Sequence, residues 1–349
     1  MEVNNNNSNT ANTAWPDMYY PAARKSYNHI GWTLVAYLII SIVVQVVLLI
    51  LAPYLEKMNI LGFRTEDESL YTSILISMYL IAFPIAYLIG NSLPSFKPSK
   101  EKVGFYKLLS YYMMVFPLSF ILNIFSSWLA DIISGGKAVN AIDEIAGSDS
   151  PYAILMVVVI GPLVEELIFR KLMIDKTAIF GEAAAVLFSA LCFSLFHMNL
   201  YQTFYTFVIG LVFAFIYIRT GRIWITVVFH MFFNFWGSVV PTIVLKAGDE
   251  IMDSALSDPA AFEKFISSGD GVSVAAMVSL MAFDLCQLIL VVGGIVCIIV
   301  NLARKEFTFK PARAQVSRLV LARASYLNAG FIVFAILCLL MTVANLFAS

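Results

Sequence analysis

Continuously apolar stretches of about 20 residues follow one another along this 349-residue chain, and they decide most of what it can fold into. Each is long enough to cross the ~30 Å hydrocarbon core of a bilayer as a helix. Backbone in lipid must satisfy its own hydrogen bonds, which leaves helices and closed barrels as spanning structures. The stretches do not alternate in and out as barrel strands do. The expected fold is therefore all-α, a polytopic membrane helix bundle. Composition agrees: 60% of residues are hydrophobic and 13% charged, against about 25% charged in soluble domains. A soluble globular enzyme, a disulfide-rich secreted domain and a disordered chain are excluded. A net charge of -1 gives nucleic acid no footing. Cys192, Cys286, Cys297 and Cys338 all lie inside apolar runs without a CxxC pair, so neither a thiolate zinc site nor a disulfide framework is indicated.

Nine spans are read, at about 31–52, 70–90, 105–130, 151–172, 183–200, 203–219, 223–243, 273–300 and 326–348, giving a bundle of about eight to nine transmembrane helices. Residues 1–30, with the run Asn4 to Asn7, read as a disordered cytosolic tail, and His29 as an interfacial residue ahead of span one. Residues 31–150 carry the N-terminal helices and 150–240 a core rich in polar groups. Residues 241–349 carry the C-terminal helices with a basic cytosolic linker at 302–324. With the N-terminus in the cytosol, alternation places 17 of the 22 basic residues inside. Only Lys57, Arg64, Lys137, Lys246 and Lys264 fall outside, where acids such as Glu66, Asp67, Glu68, Asp249 and Glu250 gather. That asymmetry follows the positive-inside rule and suits a multi-pass protein of the plasma membrane.

Polar groups at membrane depth cost several kcal/mol unless partnered, and they usually have a function. Three clusters stand out. In Glu165-Glu166-Leu167-Ile168-Phe169-Arg170, Glu166 and Arg170 share a face at i,i+4 and can pair, with Glu before Arg in the favourable order. Glu165 points about 100° away, with no partner on its own helix. In Phe193-Ser194-Leu195-Phe196-His197, the Phe193 ring lies one turn before His197 and can fix it. In His230-Met231-Phe232-Phe233-Asn234, an imidazole and an amide share a face. A carboxylate and an imidazole can take a proton from water, and a second imidazole with an amide can donate to an oxyanion. No Ser or Cys sits beside these histidines as a nucleophile, so water is the expected attacker. Two His and one Glu (Glu165, His197 and His230) also form a known zinc ligand set, although the HExxH helix is absent. At 1.5 Å per residue, His197 lies about 20 Å from the cytosolic end of its span and His230 about 10 Å. Extending span four to about Phe180 would bring Glu165 level with them.

EExxxR (Glu165 to Arg170), FxxxH (Phe193 to His197) and HxxxN (His230 to Asn234), in that order on successive helices, resemble the CPBP group of CAAX prenyl proteases and bacteriocin-processing or immunity (Abi) membrane proteins. The run Arg219-Thr220-Gly221-Arg222-Ile223-Trp224 is similar to the same family. The resemblance covers roughly residues 150–240. It implies a CAAX-protease-like core, a helical bundle around a conical cavity, and peptide-bond hydrolysis within or near the bilayer. It implies Glu165 with His197 as activators of water, His230 with Asn234 as oxyanion donors, and Glu166, Arg170 and Phe193 as supports. The family is often labelled metalloprotease, and zinc is the metal such a label implies. The implied partners are the lipid bilayer and a peptide or protein substrate, which can be membrane-anchored. Two other readings stand beside this one. One is a non-proteolytic immunity or scaffold protein. The other is a transporter, supported by Asp284 in span eight with Gln287 one turn on.

Overall fold

The computed structural model describes residues 18–98, 100–137, 140, 151–244 and 271–347. Among them every regular element is a helix: α1 (Tyr20–Lys57), α2 (Glu66–Gly90), α3 (Phe105–Ser134), α4 (Pro151–Phe180), α5 (Glu182–Phe196), α6 (Leu200–Thr220), α7 (Ile223–Val244), α8 (Gly271–Ala303), α9 (Arg318–Tyr326) and α10 (Ala329–Phe347). Eight are long and apolar enough to cross a membrane; α5, at 15 residues, is shorter and α9 is not apolar. The chain is a polytopic membrane bundle.

The boundaries depart most from the sequence reading at three places. The expected tail at 1–30 is helical from Tyr20, because Pro21 occupies the first turn and Ala23, Tyr27 and Ile30 bury one face. Residues 1–17, which hold the asparagine run, lie outside the described residues. His29 is accordingly inside α1, where its Nε2 lies 2.9 Å from the Ile89 carbonyl of α2. Span four runs to Phe180, since its polar end is held: Tyr217 donates to Asp175 at 2.8 Å, and Lys176 donates to Asn91, Ser95 and the Leu93 carbonyl. The linker turns helical at Arg318. Lys246, Lys264, Asp249 and Glu250 are not among the described residues.

Helix α6 is the most buried span, packed between α5 and α3, while α8 lies at the edge against α3. The α5–α6 crossing is close because a side chain at Gly210 would stand 2.9 Å from the Ala190 backbone. The first and last helices cross more tightly still. A Cβ at Gly31 would lie 2.3 Å from the Gly330 carbonyl carbon, and one at Gly330 would lie 2.3 Å from the Asn28 carbonyl oxygen. Gly330→Ala must therefore push α10 off α1, and it is expected to cost about 1–3 kcal/mol. A lowered thermal midpoint of the detergent-purified protein checks this; an unchanged midpoint would show that the helices do not cross here.

One end of the bundle is laced by the basic loops. Arg219 and Lys310 flank Glu101 at 3.1 and 2.7 Å, and Lys107 meets Glu306 at 2.6 Å. The Lys310 ammonium, with Arg219 behind it, holds the Glu101 carboxyl below its usual range. The linker backbone joins in, with Arg313 and Ala314 N–H donating to the Ile179 carbonyl. The opposite half of the bundle contains the cavity.

Candidate active site

Four helical stretches have widened, π-type turns: Leu75–Ala82 in α2, Leu155–Ile160 and Glu166–Leu172 in α4, and Phe235–Val239 in α7. Such turns are rare and concentrate at functional sites. All four border one cavity of about 520 Å³, through Met78 and Tyr79, Met156 and Val157, Glu165 just ahead of the third, and Trp236 to Ser238. Glu165, His197, His230 and Asn234 all line it. Glu165 is level with His230, their side chains standing 3.6 Å apart, and α4 runs on to Phe180.

Beneath Glu165 lies a buried chain of charges. Arg170 Nη2 is 3.2 Å from Glu166 Oε1, and neither side chain is exposed. The expected i,i+4 pair is present. Its guanidinium also lies over the Phe193 ring at 4.2 Å, a cation–π contact that compensates part of its desolvation. Phe193 meets His197 edge-on at 4.7 Å and His230 at 5.8 Å, so one ring braces both imidazoles as well as the guanidinium.

The pairing of site residues differs from the sequence expectation. Glu165 Oε2 faces His230 Nε2 at 3.6 Å, and Glu166 Oε1 faces His230 Nδ1 at 3.1 Å. His230 thus lies between two adjacent carboxylates rather than beside Asn234. The wider turn that begins at Glu166 reduces the angle between consecutive side chains, so both acids reach one ring. A carboxylate only accepts, so Nδ1–H donates to Glu166. The Glu165–Nε2 contact then needs one shared proton, on either the carboxyl or the ring.

His197 is not hydrogen-bonded to Glu165. Its Nδ1 donates to the Phe193 carbonyl at 2.8 Å, which fixes the tautomer and leaves Nε2 as the acceptor. The ring stands at the end of α5, where Met198 turns the chain at φ 48° and Asn199 caps α6 by accepting from Tyr201 N–H. Asn345 of α10 donates to the Met198 carbonyl at 2.9 Å and holds this turn.

Asn234 Nδ2 donates to the Val157 carbonyl at 2.9 Å. Gly161 N–H bonds back to the Met156 carbonyl, five residues away, so the next donor in the pattern would be residue 162 reaching Val157. Residue 162 is proline and has no N–H. The carbonyl is orphaned at membrane depth and the asparagine satisfies it. One Asn234 N–H remains for other use. Along the chain Gly161-Pro162 reads only as a tolerable kink; its position five residues after Val157 is the available signal.

The three side chains named for a metal do not form a ligand set. Among the described residues no group of three His, Cys, Asp or Glu is placed to hold an ion. Both His230 nitrogens face carboxylates and His197 Nδ1 is bound to backbone. Asp284 is exposed on the outer face of α8, and Gln287 accepts from Trp236 Nε1 at 2.8 Å. The two residues behind the transporter reading do not act together.

Residues 147–236 match the model of the family described as Rce1-like, type II CAAX prenyl endopeptidase Rce1-like. A curated relative from Bacillus subtilis (strain 168), named "Putative membrane peptidase YdiL", is 36% identical over 90 residues. Those residues are 24% of this chain and 35% of the relative, so the chain spans about a third of the relative's length. No solved structure matches the chain. The match begins just before α4 and ends in α7, so the similarity to the Rce1-like family covers all three polar motifs and the segment that builds the candidate site.

Proposed function

We propose that the chain is an intramembrane endopeptidase that hydrolyses a peptide bond with a water activated at Glu165. The observation that carries this reading is the convergence of Glu165, His197, His230 and Asn234 on one cavity, with the Glu166–Arg170 pair beneath them. The buried Glu166–Arg170 pair compensates its own charge and can persist in low dielectric, while Glu165, partly exposed to the cavity, keeps a lone pair for water.

The chemistry follows from the donors and acceptors. Glu165, with Nε2 of His197 accepting alongside, takes a proton from water as the water oxygen attacks the scissile carbonyl carbon. The oxyanion that forms receives the remaining Asn234 N–H and the proton on His230 Nε2. The C–N bond then breaks, the carbonyl re-forms, and the leaving nitrogen takes the proton held by Glu165. No step passes through a metal. The substrate is a peptide or protein held in or near the bilayer. The orientation that fits the basic loops puts the N-terminus in the cytosol of a plasma-membrane protein.

Cleavage of a peptide library by the purified protein, read by mass spectrometry, tests the activity. Treatment with 1,10-phenanthroline or EDTA is expected to leave the rate unchanged. Loss of cleavage that zinc restores would transfer water activation from Glu165 to a metal and overturn the mechanism.

A further inference from the structure

The cavity is asymmetric in depth. Helices α2, α4 and α6 contribute the halves remote from the laced end: Ile74 to Tyr79, Met156 to Glu165, and Gln202 to Ile209. Helix α5 contributes only Phe193 and His197 at its far terminus, and α7 contributes His230 to Ser238. Asn140, between α3 and α4, stands at the rim with Asn199 donating to it at 3.0 Å. Among the described residues, no lining residue comes from 83–115, 166–192 or 210–229, the stretches that run to the basic loops. Glu166, Arg170 and Phe193 close the floor, and all three are buried.

The wall between rim and floor carries polar groups among its apolar ones. Phe116, Ser119, Phe120 and Asn123 put one face of α3 into the cavity, and Ser119 Oγ is buried without a hydrogen-bond partner among the described residues. Opposite, Gln202 Nε2 donates to the Tyr205 hydroxyl at 3.0 Å. A hydrocarbon chain laid along Asn123 and Gln202 would leave the Asn123 amide, and the Gln202 groups that Tyr205 does not use, without a partner, at about 1–3 kcal/mol each. An extended polypeptide offers them backbone N–H and C=O groups.

Resting on the proteolytic reading and on the orientation set by the basic loops, we infer that the cavity receives its substrate from the non-cytosolic side. That substrate is an unlipidated polypeptide segment of an exported or membrane-anchored protein. The basic loops and their ion pairs seal the cytosolic end, so a cytosolic chain terminus has no route to Glu165.

The test is thiol accessibility in cells making the full chain. Asn140→Cys at the rim and Asn123→Cys in the wall are compared with Arg304→Cys at the laced end, using a membrane-impermeant biotin-maleimide. The native cysteines are buried or set in apolar helix faces, and the unmodified chain supplies the background. The rim and wall cysteines are expected to label in intact cells, and Arg304→Cys only after permeabilisation. The inference is overturned if the wall cysteine labels only after permeabilisation, if neither cavity cysteine labels at all, or if Arg304→Cys labels in intact cells. Should one variant fail to accumulate, the other cavity cysteine still decides. The labelling does not depend on catalysis. An inactive protein with the expected pattern removes the protease reading and the substrate, and leaves the direction of access standing.

Discussion

Glu165→Gln is expected to abolish peptide cleavage, by about 10³-fold or more, while the protein keeps its thermal midpoint. The amide is nearly the same size and can still lie against His230 Nε2, so the cluster stays packed. It cannot take a proton from water. Because Glu165 is partly exposed to the cavity and the neighbouring carboxylate is the one paired with Arg170, the fold does not depend on its charge. Matched expression, a matched elution volume and absent cleavage together are the expected result. Undiminished proteolysis by the variant would remove Glu165 from the mechanism and favour a non-proteolytic membrane protein.

Arg170→Met should instead damage the fold. The guanidinium is fully buried, paired with Glu166 and stacked on Phe193. Removing it leaves the Glu166 carboxylate buried beside His230 without its cation. Breaking such a pair on one side costs about 3–5 kcal/mol. Thermal unfolding in detergent reads this as a large fall in midpoint. The double variant Glu166→Gln, Arg170→Met should recover most of the loss, since the uncompensated charge is gone. If the single variant melts within about 0.5 kcal/mol of the original protein, the buried pair contributes nothing and the argument from its charge compensation fails.

Much of this bundle is legible in the sequence because lipid imposes a simple rule on it. Apolar length gives the spans, and polar residues inside them give the candidate site. Glu165, His197, His230 and Asn234 stand out along the chain, since each is a costly group in a helix that is otherwise Leu, Phe, Val and Ala. The Glu166–Arg170 pair is equally readable from its spacing. What the sequence does not reveal is who pairs with whom. The 100° increment of an α-helix separates Glu165 from Glu166, whereas a widened turn lets both reach His230, and no residue pattern announces that turn. By spacing alone Asn234 is a partner for His230, because i,i+4 residues share a face. Its bond instead goes to a carbonyl that Pro162 cannot serve, a demand from another helix that is invisible along α7. The start of α1 is obscured by a different effect. Residues 20–30 are too polar to read as a span, and their helix is held by tertiary burial of Ala23, Tyr27 and Ile30.

The glycine crossing of α1 and α10 bears on how the molecule is put together. Helix α5, which carries His197, rests on both chain ends: Phe188 meets Tyr27 at 4.8 Å on one side and Phe331 at 5.5 Å on the other. A ribosome feeding this chain into a membrane has released Glu165, His197, His230 and Asn234 long before residue 331 emerges. Until that last helix arrives and seats on the first, His197 lacks half of its backing. The quarter of the chain that carries the three motifs is therefore not a portable unit, and cut free of α1 and α10 it would keep the motifs without the packing behind His197.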